Sequence, residues 1–186
     1  STTTRLYPAE GSHLGVTLVF AHGAGAPQTH PFMVRVAGEL AARGVDVLTF
    51  NFLYMEEGRK LPDKTPALDA CFRAVVREAA ACGVPVGNRL FLGGKSLGGR
   101  MASHLAAADD ARATGLSGLV LFGYPLHPPG KPDRLRTAHL PSIQVPVFVA
   151  QGERDPFGSP LELAPHFGQV PAPVTVHAVP QGGQQV

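Results

Sequence analysis

The segment from Arg89 to Arg100, Arg-Leu-Phe-Leu-Gly-Gly-Lys-Ser-Leu-Gly-Gly-Arg, limits the possible folds more than any other part of the chain. Gly94-Lys95-Ser96-Leu97-Gly98 fits the pattern G-x-S-x-G, with the apolar run Leu90 to Leu92 before it and a helix-compatible stretch from Leu97 to Ala108 after it. A strand, a glycine-crowded turn and a helix form the context in which this pattern presents a nucleophilic serine. Glycines flank the serine because such a turn leaves no room for Cβ atoms, and glycine accepts strained dihedrals without steric cost. The turn is expected to lift the Ser96 hydroxyl clear of the sheet. It also sets the Leu97 amide at a helix N-terminus, where developing negative charge is favoured.

Strand-like and helix-like segments alternate around this motif, which predicts βαβ units in one mostly parallel sheet with helices on both faces. Strands are expected at Val16 to Ala21, Val45 to Phe52, Leu90 to Gly93, Leu119 to Gly123, Val145 to Gln151 and Val174 to Val179. Pro31 to Arg43 carries apolar residues at Phe32, Val36 and Leu40, one face of a helix stopped by Gly44. Thr65 is expected to cap a second helix with Pro66 at its first position; Leu68, Phe72, Val75, Val76 and Ala79 form its buried stripe, and Gly83 ends it. Proline-rich connections run from Glu56 to Lys64 and from Pro125 to Pro141. No repeat or change of composition divides the chain, so residues 1–186 read as one domain without a separate cap.

Composition narrows the function. The formal net charge is +2 without any Lys/Arg cluster, so neither nucleic acid nor an anionic membrane is an expected partner. No apolar run approaches membrane-spanning length. The opening Ser-Thr-Thr-Thr-Arg-Leu-Tyr-Pro has no apolar core of a signal peptide and no initiator methionine, which points to a processed or engineered start. Cys71 and Cys82 fall in one expected helix. A rise of about 16 Å separates them, more than a disulfide spans. Two free thiols fit a reducing, cytoplasmic setting. No His/Cys/Asp spacing resembles a metal site, and no cofactor is expected.

In open α/β sheets, ligands bind outside the C-terminal ends of the strands. His22-Gly23-Ala24-Gly25-Ala26 follows the first of the expected strands, and a glycine-rich loop there lets backbone amides approach a small group. The amide of Ala24 would join that of Leu97 in an oxyanion hole. Gln151-Gly152-Glu153-Arg154-Asp155-Pro156-Phe157-Gly158 follows a later strand and places a carboxylate after the serine in chain order. Asp155, fixed by Pro156, is the stronger candidate for a triad acid, and Glu153 the weaker. Gly94-Lys95-Ser96 also resembles the end of a phosphate-binding loop, but the first glycine of that pattern falls on Arg89, which excludes nucleotide binding. Among the histidines, His22 and His127 are candidates to face a substrate pocket. His30 is placed to cap the first helix, and His139 lies in the same connection as His127.

The motifs His22 to Ala26, His30-Pro31-Phe32-Met33, Gly93 to Ser103, Gly123 to Pro132 and Gln151 to Gly158, in this order, resemble small capless bacterial α/β-hydrolases of the dienelactone-hydrolase-like branch. That branch is also similar to a testis-expressed protein and to a subunit of a chromatin acetyltransferase complex. The resemblance implies Ser96 as nucleophile, Asp155 as triad acid and a small-molecule acyl substrate. It further implies a Gly-Asp-His-type turn after the last strand to supply the base, and a final helix covering that side of the sheet. Here Gln184 or Gln185 stands where histidine is expected, and the final helix is missing. Glutamine takes no proton from serine near neutral pH. Three readings stay open: a shortened form of an active enzyme, a non-catalytic scaffold or ligand-binding descendant, or a site that borrows another histidine such as His127. Apolar surface left by the missing helix would favour self-association.

Overall fold

The computed structural model describes residues 1–81 and 87–181. Seven strands, β1 (Thr4–Tyr7), β2 (Val16–Ala21), β3 (Asp46–Phe50), β4 (Arg89–Lys95), β5 (Leu116–Phe122), β6 (Val147–Gly152) and β7 (Val174–Val179), form one sheet in the order β1-β3-β2-β4-β5-β6-β7. All neighbours pair in parallel except β1, which lies antiparallel against β3 at one edge. Five helices accompany them: α1 (Pro31–Ala41), α2 (Leu53–Glu56), α3 (Thr65–Ala81), α4 (Leu97–Ala107) and α5 (Pro160–Phe167).

Side chains alternate faces along each strand, and two cores result. Leu18 and Phe20 of β2 and Val47 of β3 pack with Met33 and Ala37 of α1 on one face. Val19 and Ala21 of β2 and Leu48 and Phe50 of β3 point to the other face. There they join Leu68 and Phe72 of α3, Met101 and Leu105 of α4 and Leu163 and Phe167 of α5. Helices therefore cover both faces, as the alternating pattern predicts. Phe148 of β6 remains 38% exposed on the α1 side and stacks on His177 of β7, centroids 6.4 Å apart. Among the described residues no helix follows β7. No described helix is long and apolar enough to cross a membrane.

Several boundaries differ from expectation for identifiable reasons. The second expected strand stops at Phe50 because Asn51 and Phe52 turn inward: Asn51 Oδ1 accepts from the Gln28 amide, and the Phe52 amide donates to His22 Nε2 at 3.0 Å. The chain then winds into α2 instead of continuing the ladder. The α3 helix starts at Thr65, because the Lys64 carbonyl already accepts from the amides of Ala67 and Leu68, so Thr65 lies inside the helix rather than capping it. The expected stop at Gly83, and Cys82 with it, lie outside the described residues. Edge strand β1 and helix α5 were not expected. The α5 helix carries a full capping box: Ser159 Oγ accepts from the Glu162 amide, and Glu162 accepts from the Ser159 amide at 2.7 Å.

Candidate active site

Parallel pairing brings the C-terminal ends of β2, β4, β5 and β6 to one edge of the sheet, and the sequence-predicted residues collect there. Ser96 sits between β4 and α4 with φ 48° and ψ −112°, a conformation that non-glycine residues rarely adopt. Holding a residue there costs about 1–3 kcal/mol, and such strain persists only where the surroundings over-determine it. The surroundings do so here. A Cβ on Gly94 would lie 2.6 Å from the Ala21 carbonyl oxygen and 2.5 Å from the backbone of Gly98. The helix therefore rides directly on the end of β2, and the Ser96 amide is tied to the Phe122 carbonyl at 2.9 Å. The serine is forced outward between them.

Ser96 and Lys95 line a hollow of about 590 Å³ together with Gly23, Ala24, Gly25, Ala26, His30, Met33 and Phe157. Gly23 passes close beneath the serine: a Cβ placed on it would be 3.8 Å from that of Ser96. The carbonyl of Ala24 accepts from the Tyr54 hydroxyl at 2.9 Å, which fixes the peptide plane of the loop. Among the described residues the amides of Ala24 and Leu97 donate to no other group. Burial pushes the Tyr54 phenol up to about 12, with Asp63 adding to the shift, so it remains a donor at any physiological pH. A larger hollow of about 690 Å³ lies at the opposite, C-terminal end of α4 and contains none of these residues.

His22 does not line the hollow. It is fully buried beneath the loop, with Nδ1 2.7 Å from the Gly23 carbonyl and Nε2 accepting from the Phe52 amide. Those partners fix a neutral imidazole with the proton on Nδ1. Desolvation lowers its pKa, against smaller upward contributions from the Gly23 carbonyl and Glu56. His22 is a brace between β2 and the segment after β3. His127 is also placed away from the hollow. It is buried, with Nδ1 2.9 Å from the Pro128 carbonyl and Nε2 3.3 Å from Glu162 Oε1, and its amide donates to the Phe157 carbonyl. It fastens the start of α5 to the segment after β5. Both of its ring nitrogens are occupied, so it is not free to serve as a borrowed base.

Asp155 is buried on the turn after β6. Its Oδ1 accepts from the Phe157 amide at 2.8 Å and its Oδ2 from Gln151 Nε2 at 3.2 Å. Phe157, two residues on, lines the same hollow as Ser96, and the field of Asp155 reaches Lys95. Glu153 is exposed. The position where a histidine was expected, at Gln184 or Gln185, lies outside the described residues.

Three contributors, Lys95, Tyr54 and Gln151, were not singled out from the sequence. Lys95 places its ammonium 4.1 Å above the Phe32 ring at the hollow, and burial lowers its pKa while Asp155 raises it. His30 caps α1 as the sequence suggests, its Nδ1 accepting from the Phe32 amide at 3.2 Å, and it also lines the hollow. Tyr54 fixes the loop. Gln151 binds the Tyr124 amide at 2.8 Å and the Gly158 carbonyl at 2.6 Å, so the ends of β5 and β6 and the Asp155 turn move together. A glutamine near the end of an apolar strand was a readable sign of a buried polar tie; Tyr54 carried no such sign. No group of three or more metal-ligating side chains is found among the described residues.

A parallel sheet with one antiparallel edge strand, a strained serine on the β4–α4 turn and an acid after β6 together define an α/β-hydrolase architecture. Residues 15–185 match the family model described as "Alpha/beta hydrolase domain", and the chain belongs to that family. It is similar to a solved α/β serine hydrolase homologue from Coxiella burnetii, with 16% identity, TM-score 0.80, and coverage of 98% of this chain and 83% of that one. It is similar as well to a dienelactone hydrolase from Anabaena variabilis, with 20% identity, TM-score 0.78, and coverage of 98% and 82%. A lidless α/β serine hydrolase from Xanthomonas campestris gives 19% identity, TM-score 0.72, and coverage of 98% and 79%. At these identities the likeness is one of fold.

Proposed function

We propose that the protein is a serine hydrolase acting on a small ester-like or other acyl substrate. The reading is carried by one observation: Ser96 is held at φ 48° on the rim of a hollow whose facing wall is the Gly23 to Ala26 loop. In the proposed reaction Ser96 Oγ attacks the acyl carbonyl, the amides of Ala24 and Leu97 receive the developing oxyanion, and Asp155 orients the base that takes the serine proton. Loss of one oxyanion donor typically costs about 10²- to 10³-fold in turnover. With the proton returned to the leaving group, an acyl-enzyme forms; water then attacks the same carbonyl, the Ser96 Oγ–acyl bond breaks as Oγ regains a proton, and the acid is released.

The hollow has no cap over it among the described residues, which favours short or exposed acyl groups. No metal or cofactor takes part in this scheme. Relationship to the testis-expressed protein and the acetyltransferase-complex subunit rests on the ordered motifs alone. A reducing, cytoplasmic setting belongs to the same proposal, supported by Cys71, a free and buried thiol whose pKa burial raises.

The test is hydrolysis of p-nitrophenyl acetate and butyrate by the native chain and by Ser96→Ala. The proposal expects turnover that Ser96→Ala abolishes. Equal rates in the two proteins would overturn it and establish the hydrolase-like scaffold instead.

A further inference from the structure

Among the described residues that line the hollow at Ser96, Lys95 alone carries a fixed charge, and none is an acid. A Cβ on Gly23 would lie 3.9 Å from Lys95 Cγ and 3.8 Å from the Cβ of Ser96, so both side chains start against the same loop residue. The Lys95 ammonium then reaches the first turn of α1, 4.1 Å from the centroid of the Phe32 ring. It makes no hydrogen bond or ion pair with any described residue. A ring face steadies a cation and leaves its N–H donors for an oxygen acceptor. The Ser103–His139 pair, 2.7 Å apart, is no rival centre, because Ser103 is buried and its hydroxyl donates to the Arg100 carbonyl at 2.6 Å.

Helix α1 adds to the same polarity. Its N-cap His30 and its first-turn residue Met33 both line the hollow, so the positive end of the helix opens there. His30 Nδ1 accepts from the Phe32 amide at 3.2 Å, which leaves the proton of the neutral ring on Nε2 as a further donor. Asp155 is the acid whose charge reaches Lys95, and its oxygens already accept from the Phe157 amide and from Gln151. Burial outweighs Asp155 at the ammonium, and an anion arriving in the hollow would offset that desolvation. Lys95 is not placed as the base for Ser96: the ring contact favours the charged ammonium, which has no lone pair to receive a proton.

We propose that Lys95 is a specificity residue that selects acyl chains ending in a carboxylate, an inference that rests on the hydrolase reading of Ser96. The ester carbonyl lies at Ser96, and the distal carboxylate meets the Lys95 ammonium at the α1 wall of the same hollow. The charge belongs on the acyl side because the acyl group stays attached to Ser96 through both half-reactions, whereas the leaving group departs after the first. Charge-assisted hydrogen bonds to a carboxylate are stronger than neutral ones, and a partly buried ammonium is screened less than one on the open surface.

The test compares mono-p-nitrophenyl adipate with p-nitrophenyl hexanoate, acyl chains of equal length that end in a carboxylate or a methyl, at pH 7.5 and low ionic strength. The native chain should show a kcat/KM higher for the adipate by about tenfold or more, the effect of one charge-assisted hydrogen bond. Added salt should shrink that preference. Lys95→Met keeps an unbranched stem beside Phe32 and should bring the two esters to parity, whereas Lys95→Arg should retain the preference. Each ratio is taken within one protein, so a general loss of activity divides out. Parity in the native chain, or a preference that Lys95→Met leaves unchanged, would overturn the inference while the hydrolase reading stands. Binding is read separately by titrating Ser96→Ala with adipate monomethyl ester and following the backbone amide resonances of Gly23 to Ala26. Saturable shifts that an added Lys95→Met weakens are expected. Should neither ester be hydrolysed, the hydrolase reading falls and this titration decides alone: shifts weakened by Lys95→Met keep Lys95 as a carboxylate site, and no saturable shift, or shifts that Lys95→Met does not weaken, removes it.

Discussion

A Cβ on Gly98 would lie 2.3 Å from the carbonyl oxygen of Ala21. The first turn of α4 thus rests on the last residue of β2, and the loop from Gly23 to Ala26 emerges beside Ser96. Serine and loop are set against each other by a backbone contact that no side chain mediates.

Gly98→Ala should therefore be severe. The methyl meets backbone on two sides, the Ala21 and His22 carbonyls, and neither can yield without moving a central strand. We expect a loss of about 3 kcal/mol, at the upper end for overpacking. Equilibrium urea unfolding measures it, and a variant as stable as the native chain would refute this description of the contact.

Strain at Ser96 has its own signature. Ser96→Gly removes the Cβ that φ 48° penalises and should gain about 1 kcal/mol, whereas Ser96→Ala keeps the Cβ and should gain little. In a chain of this size that difference is about 2–4 °C in melting temperature. Both variants should be inactive, so stability and activity move in opposite directions for glycine alone.

His22→Ala should cost about 3 kcal/mol, since it opens a cavity and leaves the buried Phe52 amide without its acceptor. The loop above it would lose its anchor, and hydrolysis should fall even at temperatures where the variant remains folded. A melting temperature within a degree of the native value would contradict the bracing role.

Acid should destabilise the fold before Glu56, Asp110 and Glu162 take up protons. His22, His104 and His139 all have folded-state pKa values below 6.5, His139 at about 3, each chiefly through desolvation. As pH falls, the unfolded chain takes up these protons first, so stability is complete above about pH 6.5 and is lost progressively below it. Glu56, Asp110 and Glu162 are also lowered, chiefly by the hydrogen bonds their carboxylates accept, but from ordinary values of 4.5, 3.8 and 4.5, so their losses begin at lower pH. Denaturant unfolding between pH 7.5 and 5 isolates the histidines. The free energy should decline over that interval, and His139→Gln should flatten the decline. Stability independent of pH there would contradict the neutral imidazoles.

Much of this architecture was legible because it depends on local chemistry. The glycines around Ser96 announce a close backbone approach, and the alternation of Leu18 and Phe20 with Val19 and Ala21 announces two cores. Asp155 could be placed because a strand end, a proline and an acid coincide in sequence. Less legible were features settled by contacts distant in the chain. The second expected strand was cut short by His22, thirty residues away, and that same bond took His22 out of the pocket. His127 was drawn from the hollow by Glu162, at a separation of 35 residues. The α5 helix was readable from Ser159-Pro160-Leu161-Glu162. By contrast, β1 is an edge strand whose four residues show no alternation, with a burial pattern of three exposed positions and one intermediate.

Labelling of the folded chain with a fluorophosphonate, followed by intact mass measurement and peptide mapping, tests the central claim most directly. The account predicts one phosphonyl group per chain on Ser96, none on the buried Ser103, and none on Ser96→Ala. A cooperatively folded chain that takes up no label, or takes it at another residue, would contradict it.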